Sequence, residues 1–325
     1  KRLLSIGLGV SLAQVFDDGL RVNLLLDVDG KNRDFQRLPV LLILAAAFQG
    51  TKRFDGWRNG IGISSNILTS RLERLVTLGC LQKAVVSDGK RRQEYRLTPM
   101  GADLYPTALM FWRFDRLWSH RRAMQPTTLT HAACGVAMTP VLVCAHCRAP
   151  VRARDVRYED GPGAGLERMP SPRSSRRIAA PPDEGAKLHL LAGESIDHFG
   201  DRWTQQVLST FFLGARRFDD IRTQCGVATN ILADRLKLLV EHGTLQRRAC
   251  AADPRHHEYV LTPKGMDLYP IILTLMKWGD RWLAGKSGPP LILYCARCSH
   301  VLDAVVACDQ CGGRLDPHDV SFRRG

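Results

Sequence analysis

The chain has 325 residues, which is long enough for two domains of ordinary size. Hydrophobic residues make up 45% and charged residues 24%, so the composition excludes a disordered chain, and no stretch is apolar for long enough to predict a membrane span. The formal net charge of +14 favours a polyanionic partner, most commonly nucleic acid, although a basic protein from an arginine-rich proteome would have the same charge.

A repeat organises the chain after an N-terminal segment, residues 1–34, that stays unassigned. From about Phe35 onward, motifs recur 164 positions later without a gap. The paired motifs are Arg53-Phe54-Asp55 with Arg217-Phe218-Asp219, Asn66-Ile67-Leu68 with Asn230-Ile231-Leu232, Asp103-Leu104-Tyr105-Pro106 with Asp267-Leu268-Tyr269-Pro270, and Trp118 with Trp282. Two domains of the same fold are therefore expected.

The elements of one copy are clearest in the second. The predicted order is a helix over 203–213, a short helix over 218–224, a turn at 225–227, a longer helix over 228–242, strands over 245–249 and 258–261, and a helix from Thr262 to about Ala284. Leu232, Leu236 and Leu239 form one buried stripe on the longer helix, and Gly243 is typical of a helix C-terminus. Thr262 is the expected N-cap of the last helix, with Pro263 at the first helical position. This order predicts a winged helix-turn-helix domain, in which the second helix of the pair enters the major groove.

Several motifs of the second copy resemble the HxlR-type winged-helix transcriptional regulators. They are Gly200-Asp201-Arg202-Trp203, Gly214-Ala215-Arg216-Arg217-Phe218-Asp219-Asp220-Ile221, Ile231-Leu232-Ala233-Asp234-Arg235-Leu236 and Glu258-Tyr259-Val260-Leu261-Thr262-Pro263-Lys264-Gly265. The resemblance covers nearly all of the second copy and the first from about residue 40. It implies cytoplasmic bacterial regulators that bind operator DNA as two-fold dimers, in which the subunits pair through their terminal helices.

The predicted fold class is mainly α with small β wings: tandem winged helix-turn-helix domains, each followed by a small zinc knuckle or ribbon. The segments are 1–34, unassigned; 35–125, winged-helix domain 1; 126–160, zinc knuckle 1; 161–187, a Gly-, Pro-, Ser- and Arg-rich linker; 188–286, winged-helix domain 2; and 287–325, zinc knuckle 2. The first copy has Pro39 where the second has Trp203, so its first helix is expected to be shifted or partly broken, which puts its dimer contact in doubt.

The candidate DNA contacts lie on the long helices and the wing tips. In the first copy they are Ser64, Ser65, Asn66, Thr69, Ser70, Arg71 and Arg74 on the helix and Lys90, Arg91 and Arg92 on the wing; in the second, Thr229, Asn230, Arg235 and Lys237 on the helix and Arg255 and His256 on the wing. An Asn side chain can recognise an adenine edge, whereas wing cations neutralise phosphates. Because the two helical faces differ, two different half-sites are expected; the same side chains could instead merely solvate the helix.

Each copy ends in a set of four metal-ligand residues. The second has Cys295, Cys298, Cys308 and Cys311, and the first has His131, Cys134, Cys144 and Cys147 at the same offsets. Paired CxxC turns favour tetrahedral Zn²⁺, and four protein ligands leave no open position for catalysis. We therefore expect one structural Zn²⁺ in each copy; an Fe–S cluster, or an unfilled first site beside an ordinary polar His131, is the alternative.

The functional hypothesis is a cytoplasmic, nucleoid-associated regulator, a repressor, whose fused copies form a pseudo-dimer on double-stranded operator DNA. A further homodimer and a small-molecule effector are expected partners, and no membrane is involved. The aromatic residues of the C-terminal helices are expected at an interface or in the core, with the wall of an effector pocket as the alternative; they are Trp112, Phe114, Trp118, Trp278 and Trp282. No phosphate loop, nucleophile elbow or HExxH motif predicts an enzyme. The alternative is a protein-interaction module with degenerate wings, and a redox switch at Cys80, Cys225 or Cys250 is a further hypothesis.

Overall fold

The computed structural model describes residues 38–88, 90–120, 128–164, 193–199, 202–250, 255–284, 286 and 288–323. The N-terminal segment 1–34 and most of the predicted linker 161–187 lie outside the described residues. Within the described part, no helix combines the length and the apolar composition that a bilayer crossing requires.

Within the described residues, both copies contain three helices, a two-stranded hairpin and two further helices, and the second copy begins with one more short helix. The first copy contains α1 (Leu38–Phe48), α2 (Phe54–Ile61), α3 (Ser65–Thr77), β1 (Leu81–Asp88), β2 (Lys90–Leu97), α4 (Pro99–Ala102) and α5 (Tyr105–Trp118), and then β3 (Thr128–His131), β4 (Ala137–Met138), β5 (Pro140–Cys144) and β6 (Val156–Asp160). The second contains α6 (Ser195–Phe199), α7 (Arg202–Phe212), α8 (Phe218–Cys225), α9 (Thr229–Glu241), β7 (Leu245–Ala249), β8 (His257–Leu261), α10 (Pro263–Met266) and α11 (Tyr269–Trp282), and then β9 (Leu291–Cys295), β10 (Ala304–Cys308) and β11 (Val320–Arg323). Two antiparallel hairpins, β1–β2 and β7–β8, form the wings.

The first helix of the first copy is intact, contrary to the expectation drawn from Pro39. Helices α1 and α7 have the same length and begin 164 positions apart. Pro39 is the second residue of α1, and a proline is tolerated there because the N–H groups of the first helical turn have no partner within the helix. The prediction of a shifted or broken first helix was therefore wrong.

The leucine stripe of the longer helix anchors each domain core. Leu68, Leu72 and Leu75 on α3 are fully buried, and so are their counterparts Leu232, Leu236 and Leu239 on α9. Their spacing of four and three residues places them on one face of a helix, which is why the sequence pattern predicted this contact correctly.

The predicted C-terminal helix is interrupted in both copies. The second copy has a short helix, α10, and then α11, which begins at Tyr269. Thr262 caps α10 as expected, since its hydroxyl accepts a hydrogen bond from the Gly265 N–H at 3.1 Å. The interruption follows from Pro270, which has no N–H to donate to the carbonyl group four residues earlier.

The two copies contact each other through α5 and α11. The Trp118 indole donates to Asp267 Oδ2 at 2.8 Å, and the Trp282 indole donates to Asp103 Oδ2 at the same distance. These two contacts are equivalent under the 164-residue repeat, so an approximate two-fold axis relates the copies. Trp278 adds a hydrogen bond from its indole to the Met100 carbonyl oxygen.

The strands that follow each winged-helix domain interleave into one unit, the strand module (residues 128–164 and 288–323). Strand β3 pairs with β11, β6 with β9 and β5 with β10, all antiparallel, so each pairing joins the two copies. In the β5–β10 pair, Leu142 lies opposite Val306, its own counterpart in the repeat. The approximate two-fold axis therefore passes through this residue pair.

Candidate nucleic-acid interface and metal centres

A glycine turn sets the angle between the two helices of each helix-turn-helix. Gly62 follows α2 with φ of 72°, and Gly226 follows α8 with φ of 60°. Both residues donate their N–H to a carbonyl oxygen of the preceding helix at 2.9 Å. Residues with side chains rarely adopt this left-handed conformation, so glycine allows α3 and α9 to begin after a short turn.

Most of the predicted DNA-contact face of α3 is exposed. Ser65, Asn66, Thr69 and Ser70 are exposed, and Ser64 and Arg74 are half-buried. The sequence predicts that Ser64 or Ser65 caps α3. Ser64 occupies the N-cap position, but its side chain makes no capping hydrogen bond.

Arg71 is a predicted DNA-contact residue that is buried in the structure. Its exposed fraction is only 7%, and its side chain donates to the Ser70 hydroxyl at 3.3 Å. Arg71 lies three residues after Leu68 and one before Leu72, so the helical period places it beside the buried leucine stripe. Its counterpart Arg235 on α9 is half-buried.

On α9 the exposed members of the predicted set are Thr229, Asn230 and Lys237. Lys237 lies 3.8 Å from Glu241 in an exposed ion pair one helical turn away, which leaves its ammonium group accessible. The equivalent residues Asn66 and Asn230 are exposed at the second position of their helices, where the chain leaves the glycine turn.

The wings carry the remaining predicted cations. Arg255 and His256 are exposed just before β8. Strand β2 begins at the tip of the first hairpin with Lys90, Arg91 and Arg92. Their backbones pair with those of Asp88, Ser87 and Val86 on β1. Their contact with phosphate stays a prediction.

Two cations beside the wings were missed by the sequence reasoning. The carbonyl oxygens of Lys52 and Arg216 each accept a hydrogen bond at 2.8 Å, from the N–H of Tyr95 and of Tyr259 respectively. Each exposed residue thus lies against the wing strand of its own copy. The signal was present, because the Arg216-Arg217 motif is basic and precedes the first helix of the helix-turn-helix pair.

The eight predicted metal ligands form two tetrads, but each tetrad draws on both copies. His131 and Cys134 meet Cys308 and Cys311, whereas Cys144 and Cys147 meet Cys295 and Cys298; within each tetrad the ligand atoms lie within 4.8 Å of one another. The predicted grouping, one complete site in each copy, was therefore wrong. The reason is the strand pairing, which brings each CxxC-type turn against a turn of the other copy.

The donor atoms fit a tetrahedral metal ion. The Sγ atoms of Cys147 and Cys295 are 3.7 Å apart and those of Cys144 and Cys298 are 3.9 Å apart. Four sulfurs at a Zn–S distance of about 2.3 Å in a tetrahedron are separated by roughly 3.8 Å. In the other tetrad, His131 Nδ1 lies 3.2 Å from Cys311 Sγ and 3.6 Å from Cys134 Sγ. These two clusters could hold metal ions.

All ten cysteines are free thiols. Burial raises the pKa of the Cys295 thiol, but hydrogen bonds from the backbone N–H groups of Arg297 and Cys298 and from the Cys298 and Cys147 side chains together lower that pKa to about 7. The backbone N–H of His300 lowers the pKa of Cys298, but burial and the neighbouring thiols of the same tetrad together raise that pKa to about 12. In the two core cysteines, burial raises the pKa of Cys80 and of Cys225 to about 12. Buried, protonated thiols of this kind are poor redox sensors.

Comparison with known proteins agrees with the two-domain architecture. The HxlR-like helix-turn-helix family matches twice, at residues 39–122 and 198–287. An uncharacterised HTH-type transcriptional regulator of Mycobacterium tuberculosis is 36% identical over 141 residues, which is 42% of this chain and 89% of the relative. The regulator YvaP of Bacillus subtilis is 30% identical over 91 residues, covering 28% of this chain and 84% of its own length.

Two solved structures of candidate transcription factors are also similar. PA1607 shares 29% identity, covers 40% of this chain and 91% of its own, and has a TM-score of 0.37. PA1374 of Pseudomonas aeruginosa shares 28% identity over 38% of this chain and 84% of its own, with a TM-score of 0.29. The two family matches together span more than half of the chain and coincide with the two helix-turn-helix units. The chain therefore belongs to the HxlR-like helix-turn-helix family and carries two copies of its domain.

Proposed function

We propose that this protein is a transcriptional repressor that binds operator DNA as an intramolecular pseudo-dimer. The observation that carries the proposal is the reciprocal contact of α5 and α11, which relates the two helix-turn-helix units by an approximate two-fold axis. Two-fold related recognition helices suit half-sites about 10 base pairs apart, centre to centre. In this arrangement one chain supplies both recognition helices, which in a dimer would come from two subunits.

The recognition faces give the proposed operator its asymmetry. Asn66 and Asn230 occupy equivalent positions and would recognise an adenine in each half-site. The neighbouring exposed positions differ, with Thr69 and Ser70 on α3 against Ala233 and Asp234 on α9. Two half-sites that share one base but differ next to it are therefore expected.

The wings and their neighbours supply the electrostatic part of binding. Arg255, with Lys52 and Arg216 beside the hairpins, is exposed and cationic. Such groups neutralise phosphates without recognising a sequence, which increases affinity and makes it dependent on salt. The net charge of +14 supports this role.

Selection from a random duplex DNA pool, followed by gel shift at two salt concentrations with nonspecific competitor, tests the proposal. We expect one enriched bipartite motif and a competitor-resistant complex that weakens as salt increases. Failure to enrich any motif, with weak and salt-insensitive binding, would refute the regulator function and leave a protein-interaction module.

The two tetrads are proposed to hold Zn²⁺. A Cys₄ set and a Cys₃His set are both ordinary structural zinc ligands, and all four positions around each ion come from the protein, which leaves none for a reacting substrate. Thiolate ligation requires a reducing compartment, and a bacterial regulator of this kind would work in the cytoplasm, on the nucleoid. The role is structural, and no catalytic activity is proposed.

An effector pocket is proposed in the first copy. A pocket of about 320 Å³ is lined mainly by α1, α2 and α5, and Leu275 of α11 also contributes to its lining. Its lining includes Phe48, Trp112 and Thr107, whose hydroxyl is buried without a hydrogen-bond partner among the described residues. A small aromatic molecule with one hydrogen-bonding group suits this lining.

The dye 1-anilinonaphthalene-8-sulfonate is a suitable first probe of the pocket. Binding should enhance its fluorescence in wild-type protein, and Ala108→Phe, which fills the pocket, should abolish the enhancement. Equal enhancement in both proteins would show that the dye binds elsewhere and would contradict the pocket proposal.

A further inference from the structure

The four CxxC-type turns of the strand module share one backbone geometry. The residue after the second ligand of each turn has a left-handed conformation: Gly135 (φ 70°), Arg148 (φ 61°), Ser299 (φ 60°) and Gly312 (φ 70°). Each of these residues donates its N–H to the carbonyl oxygen of the first ligand of its turn, at 2.8–2.9 Å.

Two of these four residues carry side chains in a conformation that is costly for anything but glycine. Arg148 and Ser299 are the non-glycine residues with positive φ in the described part of the chain. Such strain persists where the surrounding structure imposes it and is concentrated at functional sites. Here it closes the turns that present Cys144 with Cys147 and Cys295 with Cys298, which are the two halves of one tetrad.

Each tetrad joins ligand pairs that are far apart in sequence. The Cys147–Cys295 contact spans 148 residues and the His131–Cys311 contact spans 180 residues. The two tetrads are equivalent under the repeat, with His131 in one occupying the position of Cys295 in the other. An ion in either tetrad would therefore connect the first copy to the second.

We propose that two metal ions, one in each tetrad, tie the copies together and thereby set the spacing of the recognition helices. The strands that join the copies are short, five residues at most, and short strand pairs contribute little stability alone. Structural zinc binding contributes folding free energy directly, because a preformed site rarely exists in the unfolded chain. The strand module then assembles when the metal is bound and loosens when it is removed.

Metal occupancy consequently controls operator binding, an inference that rests on the proposed repressor function. Helices α5 and α11 precede the strand module in each copy and make the reciprocal Trp–Asp contacts. In addition, Lys277 on α11 donates to the Ala304 carbonyl oxygen of β10 at 2.8 Å, which links the helical interface to the metal-binding strands. Loss of the ions would release the constraint on this interface and weaken binding to two half-sites far more than binding to one.

Matched double variants distinguish ligation between the copies from ligation within each copy. Cys144→Ser with Cys298→Ser removes two ligands of the same tetrad, and the protein should retain one zinc ion per chain. Cys134→Ser with Cys144→Ser damages both tetrads and should retain none. Sites confined to one copy predict the reverse, so inductively coupled plasma mass spectrometry of the two proteins decides between them, with wild type expected to hold two ions.

A second measurement uses the unmodified chain, so a variant that fails to fold does not leave the proposal untested. Diamide oxidation of the zinc-loaded protein, followed by peptide mass spectrometry, should recover disulfides between the copies such as Cys147–Cys295. Recovery of disulfides that join different turns of the same copy, such as Cys298–Cys308, without any between the copies, or a wild-type protein without zinc, would overturn the proposal.

A separate experiment tests whether the metal affects DNA binding. Removing zinc with a chelator should weaken binding to the selected bipartite DNA at least tenfold, and adding Zn²⁺ should restore it. Unchanged affinity would refute the control of DNA binding by metal, whatever the ligand grouping. Zinc-loaded protein that binds no DNA would contradict the repressor function but leave the stoichiometry result standing.

Discussion

The indole of Trp118 donates to the Asp267 carboxylate of the other copy, and the repeat produces the reciprocal bond from Trp282 to Asp103, both at 2.8 Å. A two-fold dimer of identical subunits has such paired contacts by symmetry. In this chain the pair lies within one polypeptide whose copies have diverged. Asp103 also receives the Arg281 guanidinium at 3.2 Å, whereas Asp267 has Arg113 only at 3.9 Å. The two contacts are therefore equivalent in position but not in strength.

The first prediction concerns this difference. Trp282→Phe should lower the free energy of unfolding by about 1 to 2 kcal/mol, because it removes a hydrogen bond to a partly buried carboxylate. Trp118→Phe should have a smaller effect, because Asp267 is the more exposed acceptor, with 34% of its side chain accessible against 24% for Asp103. Urea denaturation measures both values, and a double-mutant cycle of Trp282→Phe with Asp103→Asn isolates the pair.

Asp55→Asn is the matched control, since Asp55 pairs with Arg58 on the surface and 74% of its side chain is exposed. Its effect should stay within about 0.5 kcal/mol. Equal, small losses for all three single variants would mean that the α5–α11 contact contributes nothing to stability.

The second prediction concerns two glycines where a short helix packs against the preceding loop. A Cβ atom on Gly101 would overlap the Cys80 carbonyl oxygen, and one on Gly265 would overlap the Thr244 carbonyl oxygen. Either substitution to alanine should therefore destabilise its domain by about 2 kcal/mol or more, since backbone must shift to admit the methyl group.

Gly60→Ala is the control for these substitutions. Gly60 lies within α2, has no atom within 4 Å of a built Cβ, and has no positive φ. Alanine should stabilise the helix there by about 0.5 to 1 kcal/mol. Thermal unfolding of the three variants measures whether their changes in stability have opposite signs. A stabilised Gly101→Ala protein would contradict the close approach of Gly101 to the Cys80 carbonyl oxygen.

The sequence predicted well those features that local periodicity and the repeat determine. The leucine stripes of α3 and α9 and the Thr262 cap depend on residues within one or two helical turns. The interruption before α11 was also a local effect, of Pro270, but it was overlooked. Arg71 was misplaced because a charged residue was assumed to face solvent, whereas its spacing from Leu68 puts it on the buried side.

The ligand grouping could not be predicted in this way. Both groupings of the eight residues give a Cys₄ and a Cys₃His set, so spacing and chemistry fit each equally well. The choice is made by β5 pairing with β10 and by the two other strand pairs between the copies, which are separated by more than a hundred residues. Only the three-dimensional arrangement carries that information.

The third prediction concerns thiol reactivity. At pH 8 a thiol whose pKa is about 12 is ionised to only about one part in ten thousand, and only the thiolate reacts. Cys80 and Cys225 should therefore resist iodoacetamide in the folded protein. Metal-stripped protein should be labelled at the ligand cysteines first, as read by peptide mass spectrometry. Rapid labelling of Cys80 in folded, zinc-loaded protein would revive the redox-switch hypothesis for that residue.

The fourth prediction concerns base recognition. Asn66→Ala should weaken binding to the selected DNA by about 1 to 3 kcal/mol and relax specificity at one base of one half-site, and Asn230→Ala should do the same in the other half-site. Each variant should leave nonspecific binding unchanged. The control is Thr77→Ala on the last residue of α3, whose hydroxyl donates to its own helix and should not affect DNA affinity. A repeated selection with each variant locates the relaxed base; identical motifs from both variants and wild type would mean that neither Asn contacts a base.

The fifth prediction separates phosphate contacts from the general effect of positive charge. Arg255→Ala and Arg152→Ala each remove one cation from an exposed position, the first on the wing of the second copy and the second in the strand module. If the wing lies against the backbone of the duplex, only the first variant removes a counterion-releasing contact. The slope of log affinity against log salt concentration should then fall by about 0.9 for Arg255→Ala. For Arg152→Ala the slope should not change, although both chains lose the same net charge.

Fluorescence anisotropy titrations at four or more salt concentrations measure both slopes. Equal slopes in the two variants would indicate that the wing stays in solvent and that the charge of the chain acts only at long range.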